Sequence, residues 1–236
     1  VALSENALLD AAQATLLAQL GSTFSTTSHV IGVVDTAANL VALATSSAVT
    51  AVNGWTGPVS LSADATISHA DIVALGALIH FSPGAHVLVI QDTAAHLLAD
   101  LASPILEMAH AIHLSADATI TSAQAAELAG LGSRFDNGGH ALIVQDTPGA
   151  LVGTRAWAGL AGQVTDFTLE PASVPWQVSA ARATALAALP HLNTGPGLIV
   201  VDSAANLLAP GNAAGLSIAG TVTLGADATV TAATAI

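Results

Sequence analysis

Lysine, tyrosine and cysteine are missing from this chain, and charge and aromatic rings are scarce. Without cysteine there are no disulfides and no thiolate ligands, so neither a disulfide-stapled fold nor a cysteine-held zinc site is open to it. Arg134, Arg155 and Arg182 stand against 16 acids, giving a net charge of −13. Nothing basic is available to replace counterions on a phosphate backbone, which excludes nucleic acid as a partner. Three Trp and four Phe cannot supply the aromatic girdles of a membrane barrel. Apolar runs such as Val87–Ile90 are far shorter than the roughly 20 residues of a spanning helix, so no membrane span is expected. Disorder is excluded as well, because 53% of the residues are hydrophobic and only 8% charged. An acidic chain without cysteine is compatible with a secreted bacterial protein. The sequence opens at Val1 with no charged segment of a signal peptide and closes at Ile236 on what reads as the start of a helix. Both ends therefore read as cut from something longer.

What is present is a repeat. Val89-Ile90-Gln91-Asp92-Thr93-Ala94-Ala95-His96-Leu97 has close copies at Val33–Leu40, Val144–Leu151 and Val200–Leu207. Their aspartates, Asp35, Asp92, Asp146 and Asp202, are 57, 54 and 56 residues apart, and a fixed period in this range marks a stacked array. A second marker alternates with the first. Leu61-Ser62-Ala63-Asp64-Ala65-Thr66-Ile67 returns at Leu114–Ile120 and Leu224–Val230, with a degenerate copy at Leu169–Ala172 followed by Val174-Pro175-Trp176. Successive leucines of this marker are 53, 55 and 55 residues apart, the same period again.

Between the markers the periodicity predicts local structure. Ser68-His69-Ala70-Asp71 and Thr121-Ser122-Ala123-Gln124 are capping-box patterns that open helices over Ile72–Ile79 and Ala125–Leu131, and Ser179–Leu189 and Ser4–Leu20 read as their counterparts. Each helix meets a Phe or Leu (Phe24, Phe81, Phe135, Leu192) and a Gly/Ser/Pro/Asn turn. Val30–Val34, Val87–Gln91, Ala141–Gln145 and Gly197–Val201 then read as parallel strands covered on both faces. Asp-Thr-Ala-Ala reads as a cap entering a second short helix. The resulting fold class is α/β: a repeat solenoid of about four units of roughly 55 residues, each strand-helix-strand-helix, similar in spirit to leucine-rich repeats. Residues 1–236 form a single array, with units near 1–57, 58–111, 112–166 and 167–222 and the start of another at 223–236. The pattern leaves open whether the two strand types share one sheet or form two.

Two columns of residues are candidates for chemistry. If units stack in register, Asp35, Asp92, Asp146 and Asp202 recur at one height, and they read either as helix caps or as a calcium ladder that relieves their mutual repulsion. Capping is the stronger reading, since no Gly-Gly-x-Gly-x-Asp nonapeptide occurs. Asp64, Asp117 and Asp227 form a weaker column of the same kind. His29, His86 and His140 each lie six residues before the aspartate, where they could hold a transition metal or haem, or simply bond a backbone carbonyl at the start of a strand. The series stops at Pro196. His110 and His113 precede Leu114 in a predicted strand, which places them on opposite faces. Glu5, Glu107, Glu127 and Glu170 share no column, and no hydrolase, metalloprotease, dinucleotide or phosphate-loop motif is present, so no catalytic residues are assigned.

The alternation of Leu-Ser-Ala-Asp-Ala-Thr-Ile with Val-x-Asp-Thr-Ala-Ala-Asn-Leu resembles tandem repeats of very large alphaproteobacterial proteins, of the type I secreted surface or matrix class, often accompanied by calcium-binding nonapeptide repeats. The resemblance covers essentially the whole chain and brings no catalytic motif. It implies an extracellular or cell-surface location and a structural or adhesive role. Physical chemistry adds that a surface poor in charge exposes Ala and Leu, which favours self-association into a filament, sheet or coat. The alternative is an extracellular metal- or haem-binding module built on the histidine column.

Overall fold

The computed structural model describes residues 2–26, 29–153, 155–195 and 197–227. Pro196, the Ala228-Thr229-Val230 part of the second marker and the helix read at the C-terminal end lie outside these residues. In chain order the elements are β1 (Ala7–Leu9), α1 (Ala11–Ala18), β2 (Ile31–Asp35), α2 (Ala37–Ala44), α3 (Val49–Asn53), β3 (Val59–Leu61), β4 (Ala65–Ile67), α4 (His69–Leu75), β5 (Phe81–Ser82), β6 (Leu88–Asp92), α5 (Ala94–Ala99) and β7 (Ala111–Leu114). They continue as β8 (Ala118–Ile120), α6 (Ser122–Ala129), β9 (Phe135–Asp136), β10 (Leu142–Asp146), α7 (Pro148–Val152), β11 (Asp166–Leu169), β12 (Trp176–Val178), α8 (Ala180–Ala187), β13 (Leu192–Asn193), β14 (Leu198–Asp202), α9 (Ala204–Leu207), α10 (Ala213–Ser217) and β15 (Thr221–Leu224). Short 3-10 turns stand at Pro104–Met108 and Ala156–Leu160, where α3 and α10 stand in the outer copies.

The chain is α/β, with four small sheets whose strands all pair in parallel. It divides into two compact units, Val1–Ser115 with Ser133–Gly138, and Ala116–Gly132 with Gly139–Ile236. The first holds sheets ordered β1-β2-β3-β5 and β4-β6-β7-β9; the second holds β8-β10-β11-β13 and β12-β14-β15. Each sheet thus mixes both strand types. An aspartate strand lies between the strand that precedes a first helix and the strand that ends in the marker leucine, and a two-residue strand at the Phe or Leu position flanks three of them. The second marker is a corner rather than a strand: Leu61 ends β3, Ser62–Asp64 bend, and Ala65 opens β4 in the other sheet of that unit.

The core is built by alternation. Ile31 and Val33, Leu88 and Ile90, Leu142 and Val144, and Leu198 and Val200 point inward and are essentially inaccessible. Their neighbours Val89, Ile143 and Ile199 are only half-buried, so the expectation of strands covered on both faces is corrected. Continuous apolar sequence here conceals a two-residue period, because both faces can be apolar when only one is sealed. The helices bury residues three apart, Ile72 with Leu75, Ala125 with Leu128, and Ala180, Ala183 and Leu186, which is one stripe of a 3.6-residue helix. Alanine in that stripe lets the backbones approach. Gly215 carries this furthest, since a Cβ there would sit 2.3 Å from the Thr184 amide nitrogen of α8.

Three of the four predicted first helices begin at their expected caps, Ser68, Thr121 and Ser179, and the reciprocal bonds to Asp71 and Gln124 complete two capping boxes. The N-terminal one is corrected. Ser4–Asp10 is not helical; it holds a corner and β1, and the helix starts at Ala11 with Asp10 as its cap and Gln13 closing the box. The abundance of Ala and Leu hid a marker copy in which Asn6 replaces the aspartate.

Gly57 fixes the approach of β3 to β2, because a Cβ there would lie 2.0 Å from the Ile31 carbonyl oxygen. Gly57→Ala should lower the unfolding free energy by about 3 kcal/mol, whereas Gly162→Ala, with nothing within 4 Å of the added carbon, should change it little. Chemical denaturation followed by circular dichroism checks both; equal effects would contradict this packing.

Candidate functional site

The first turn of a helix leaves amides without partners, and a strand that ends beside it can supply an acceptor. Each aspartate of the main column does so. Oδ2 of Asp35 accepts from the Ala11 amide at 2.9 Å, Asp92 from His69 at 2.9 Å, Asp146 from Ser122 at 3.0 Å and Asp202 from Ala180 at 3.0 Å. In every case the donor is the first residue of the helix that precedes the strand. Oδ1 meanwhile accepts the amide of the next residue, Thr36, Thr93, Thr147 or Ser203, at 2.7 to 2.8 Å. The carboxylate thus stands between two helix starts, where the helix dipoles favour negative charge.

The caps of the second helices are not the aspartates, and here the sequence reading is corrected. Thr36, Thr93, Thr147 and Ser203 are the cap residues, and their hydroxyls accept from the amide three residues on. A hydroxyl one residue further along has the reach for that amide, which frees the carboxylate for the neighbouring helix. A third hydrogen bond to the carboxylate, the second on Oδ1, comes from the residue four beyond the aspartate: Asn39 at 2.8 Å, His96 at 2.7 Å and Asn206 at 2.6 Å. Ala150 leaves this place without a donor in the third copy. An ionised carboxylate accepts, so Nδ1 of His96 carries the hydrogen. This donor column was legible in the sequence as Asn, His, Ala, Asn, and the reading missed it.

These bonds set the titration. At Asp35 burial is the largest influence and raises the pKa, yet the bonds from the Ala11 amide, the Asn39 side chain and the Thr36 amide outweigh it and hold the carboxyl below the ordinary aspartate range. Asp92 behaves alike: burial raises it, while the Thr93 amide, the His96 ring, the His69 amide and the electrostatic pull of His96 bring it lower. At Asp202 the Asn206 side chain leads, followed by the Ser203 and Ala180 amides, and the carboxyl again sits low.

The second column holds strands. Oδ1 of Asp64 accepts the Val87 amide and Oδ1 of Asp117 the Ala141 amide, both at 2.8 Å, and Asn6 does the same for Val30 at 2.9 Å. The degenerate copy is closed differently: the Trp176 indole N–H donates to the Glu170 carbonyl at 3.0 Å. The histidine column meets this one. Nδ1 of His86 lies 3.4 Å from Asp64 and Nδ1 of His140 lies 3.5 Å from Asp117. The His29 amide donates to Thr26. His113 lies in β7, as expected, and Nδ1 of His110 accepts the Leu88 amide at 3.2 Å. Nε2 of His69, buried and without a hydrogen bond, sits 3.8 Å from Asp100.

Among the described residues no three His, Asp or Glu side chains gather as a metal site, and no helix is long and apolar enough to cross a membrane. Two of the arginines are spent on backbone carbonyls, Arg134 on Leu106 and Arg155 on Ala185. No known family model and no curated protein matches the chain.

Because the three aspartates titrate low when folded, the unfolded chain takes up protons first as the pH falls. Their stabilisation should be complete above about pH 5 and decline as the pH drops through their folded values. Asp92→Ala leaves the His69 and Thr93 amides without acceptors and should cost about 2 to 4 kcal/mol at pH 7, a deficit that narrows toward pH 3. Urea titrations across this range test it; a deficit independent of pH would reject an ionised acceptor.

Proposed function

We propose that this chain is a structural repeat segment of a secreted bacterial surface or matrix protein, not an enzyme, and that it self-associates into a filament, layer or adhesive matrix outside the cell. The copies stack as a solenoid, each sheltering the apolar side of its neighbour. The observation that carries this reading is that the recurring polar side chains are committed to the frame. The aspartates of the main column hold helix starts, and Asp64, Asp117 and Asn6 hold strand starts. The outer surface supports the assembly part: Leu8, Leu16, Ile79 and Val174 are each more than 60% exposed in a chain with 8% charged residues. Apolar surface without charged cover favours contact with another surface. The resemblance of the repeat to those of type I secreted proteins supplies the extracellular setting.

A metal- or haem-binding module is the second reading. It is favoured by one geometric fact, the pairing of His86 with Asp64 and of His140 with Asp117, which orients each imidazole as a metal-bound histidine is oriented by an outer carboxylate.

The two readings separate in one purification. Sedimentation velocity over a hundredfold concentration range, with negative-stain images, should show assemblies growing with concentration. Absorption spectra and metal analysis of the same material should show no chromophore and no stoichiometric transition metal. A monomer at every concentration, or one metal or haem per chain, would overturn the structural assignment.

A further inference from the structure

The degenerate corner is longer than its regular counterparts. Three residues, Ser62–Asp64, join β3 to β4, and three, Ser115–Asp117, join β7 to β8, whereas six, Glu170–Pro175, separate β11 from β12. All three corners are entered alike: the Ser62, Ser115 and Glu170 amides donate to the carbonyls of Asp35, Asp92 and Asp146 at 2.9, 2.9 and 3.0 Å. Their exits differ. Asp64 and Asp117 end the regular corners and accept the Val87 and Ala141 amides. In the long corner the Trp176 indole reaches back to the Glu170 carbonyl at 3.0 Å, which ties the two ends of the loop together at its base.

The residues between those ends are open. Pro171, Ala172, Ser173, Val174 and Pro175 are all exposed, Val174 at 69%. Among the described residues no hydrogen bond reaches the main chain of these five. Both prolines lack an amide, and those of Ala172, Ser173 and Val174 have no partner in the protein. Exposed backbone free of hydrogen bonds is the part of a folded chain that an endopeptidase can draw into its cleft, where the substrate lies extended and bonds the enzyme as an added strand.

We infer that this loop is a site of endoproteolytic processing, cut between Ala172 and Ser173 by an endopeptidase whose primary pocket takes a small apolar side chain. The prolines select the bond. After Glu170 and after Val174 the leaving nitrogen is locked in a proline ring, and cleavage after Pro171 or Pro175 would need proline in the pocket. Cleavage after Ser173 would place a hydroxyl there. Only Ala172 offers a small apolar side chain followed by a residue with an amide N–H. The reaction is hydrolysis: water adds its oxygen to the Ala172 carbonyl carbon and the bond to the Ser173 nitrogen breaks, giving a carboxylate and an amine. The cut leaves the unit assembled, because β11 before the loop pairs with β13 after it, Phe167 with Leu192 and Thr168 with Asn193. An endopeptidase that needs a basic side chain finds no such site. The chain has no lysine, Arg134 and Arg155 are bonded to backbone carbonyls, and Arg182 lies within α8.

Elastase has a small primary pocket and trypsin a basic-specific one, so the pair tests the assignment. Brief digestion of the native chain with elastase should give residues 1–172 and 173–236 by intact mass, co-eluting in buffer and separating in urea. Trypsin over the same time should leave the chain whole. Ser173→Pro, which puts a proline ring on the leaving nitrogen, should slow the elastase cut at least about tenfold with circular dichroism unchanged. Ala172→Arg should transfer the same cut to trypsin. A first elastase cut at any other bond, including those of Ser62–Asp64 and Ser115–Asp117, would overturn the assignment. So would an Ala172→Arg chain as resistant to trypsin as the native one.

Discussion

An aspartate at the end of a parallel strand has two oxygens, and in this protein they serve two helices. One takes the first amide of the helix some 22 to 24 residues back, the other the amide that leads into the helix just ahead. Three elements distant in sequence thereby meet at a single charged group. Buried or half-buried helix ends need acceptors, and hydrogen bonds to a charged acceptor are stronger than neutral ones, on the order of 1.5 to 3 kcal/mol each. The bonds fix the height at which each strand meets its helices, which the apolar contacts alone would leave free to slide. Packing is non-directional; this interaction is not.

Placing the carboxylates there also accounts for how a chain this poor in charge tolerates so many acids. Asp35, Asp92 and Asp202 sit where amides from two directions face them, and burial, which alone would neutralise a carboxyl, is outweighed by those donors at Asp35 and Asp92. Like charges recurring every 54 to 57 residues need no intervening cation when each has its own positive surroundings. The outer surface keeps exposed apolar side chains, Leu8, Leu16, Ile79 and Val174 among them, beside the exposed carboxylates of Asp64 and Asp117.

The period, the helix caps at Ser68, Thr121 and Ser179 and the parallel strands were legible because each is a local signal repeated several times. The partner of each aspartate was not. Nothing near Asp35 in sequence points to Ala11, since the contact is created by the crossover that returns the chain to the sheet. The mixing of two strand types in one sheet was hidden for the same reason: the corner at Ser62–Asp64 looks like the middle of a strand until the chain is seen to change sheets there. At the N-terminal end the repeat was masked by composition, because Ala7-Leu8-Leu9 satisfies a helical pattern as easily as a strand. The Trp176 closure could not have been read at all, since an indole gives no hint of the carbonyl it will find.

The irregular copies bear most directly on whether the columns hold ions or hold the frame. A calcium ladder requires charge at each rung, because the ion is bound by the summed negative charge of its ligands. The second column does not keep to that requirement, while the main column has aspartate in all four copies. Asn6 stands where Asp64 and Asp117 stand and accepts the same amide with a neutral oxygen. In the third copy Ala150 drops the side-chain donor that Asn39, His96 and Asn206 provide, while both amide bonds to Asp146 persist. Pro171 and Ala172 abandon the second column, and the Trp176 indole closes that corner by bonding the Glu170 carbonyl. At Asn6 the hydrogen bond that holds a strand start survives while the charge of its acceptor lapses, and at Asp146 both the amide bonds and the charge persist. In the second column geometry is kept from Asp64 and Asp117 to Asn6 while charge lapses, which a frame tolerates and an ion ladder does not.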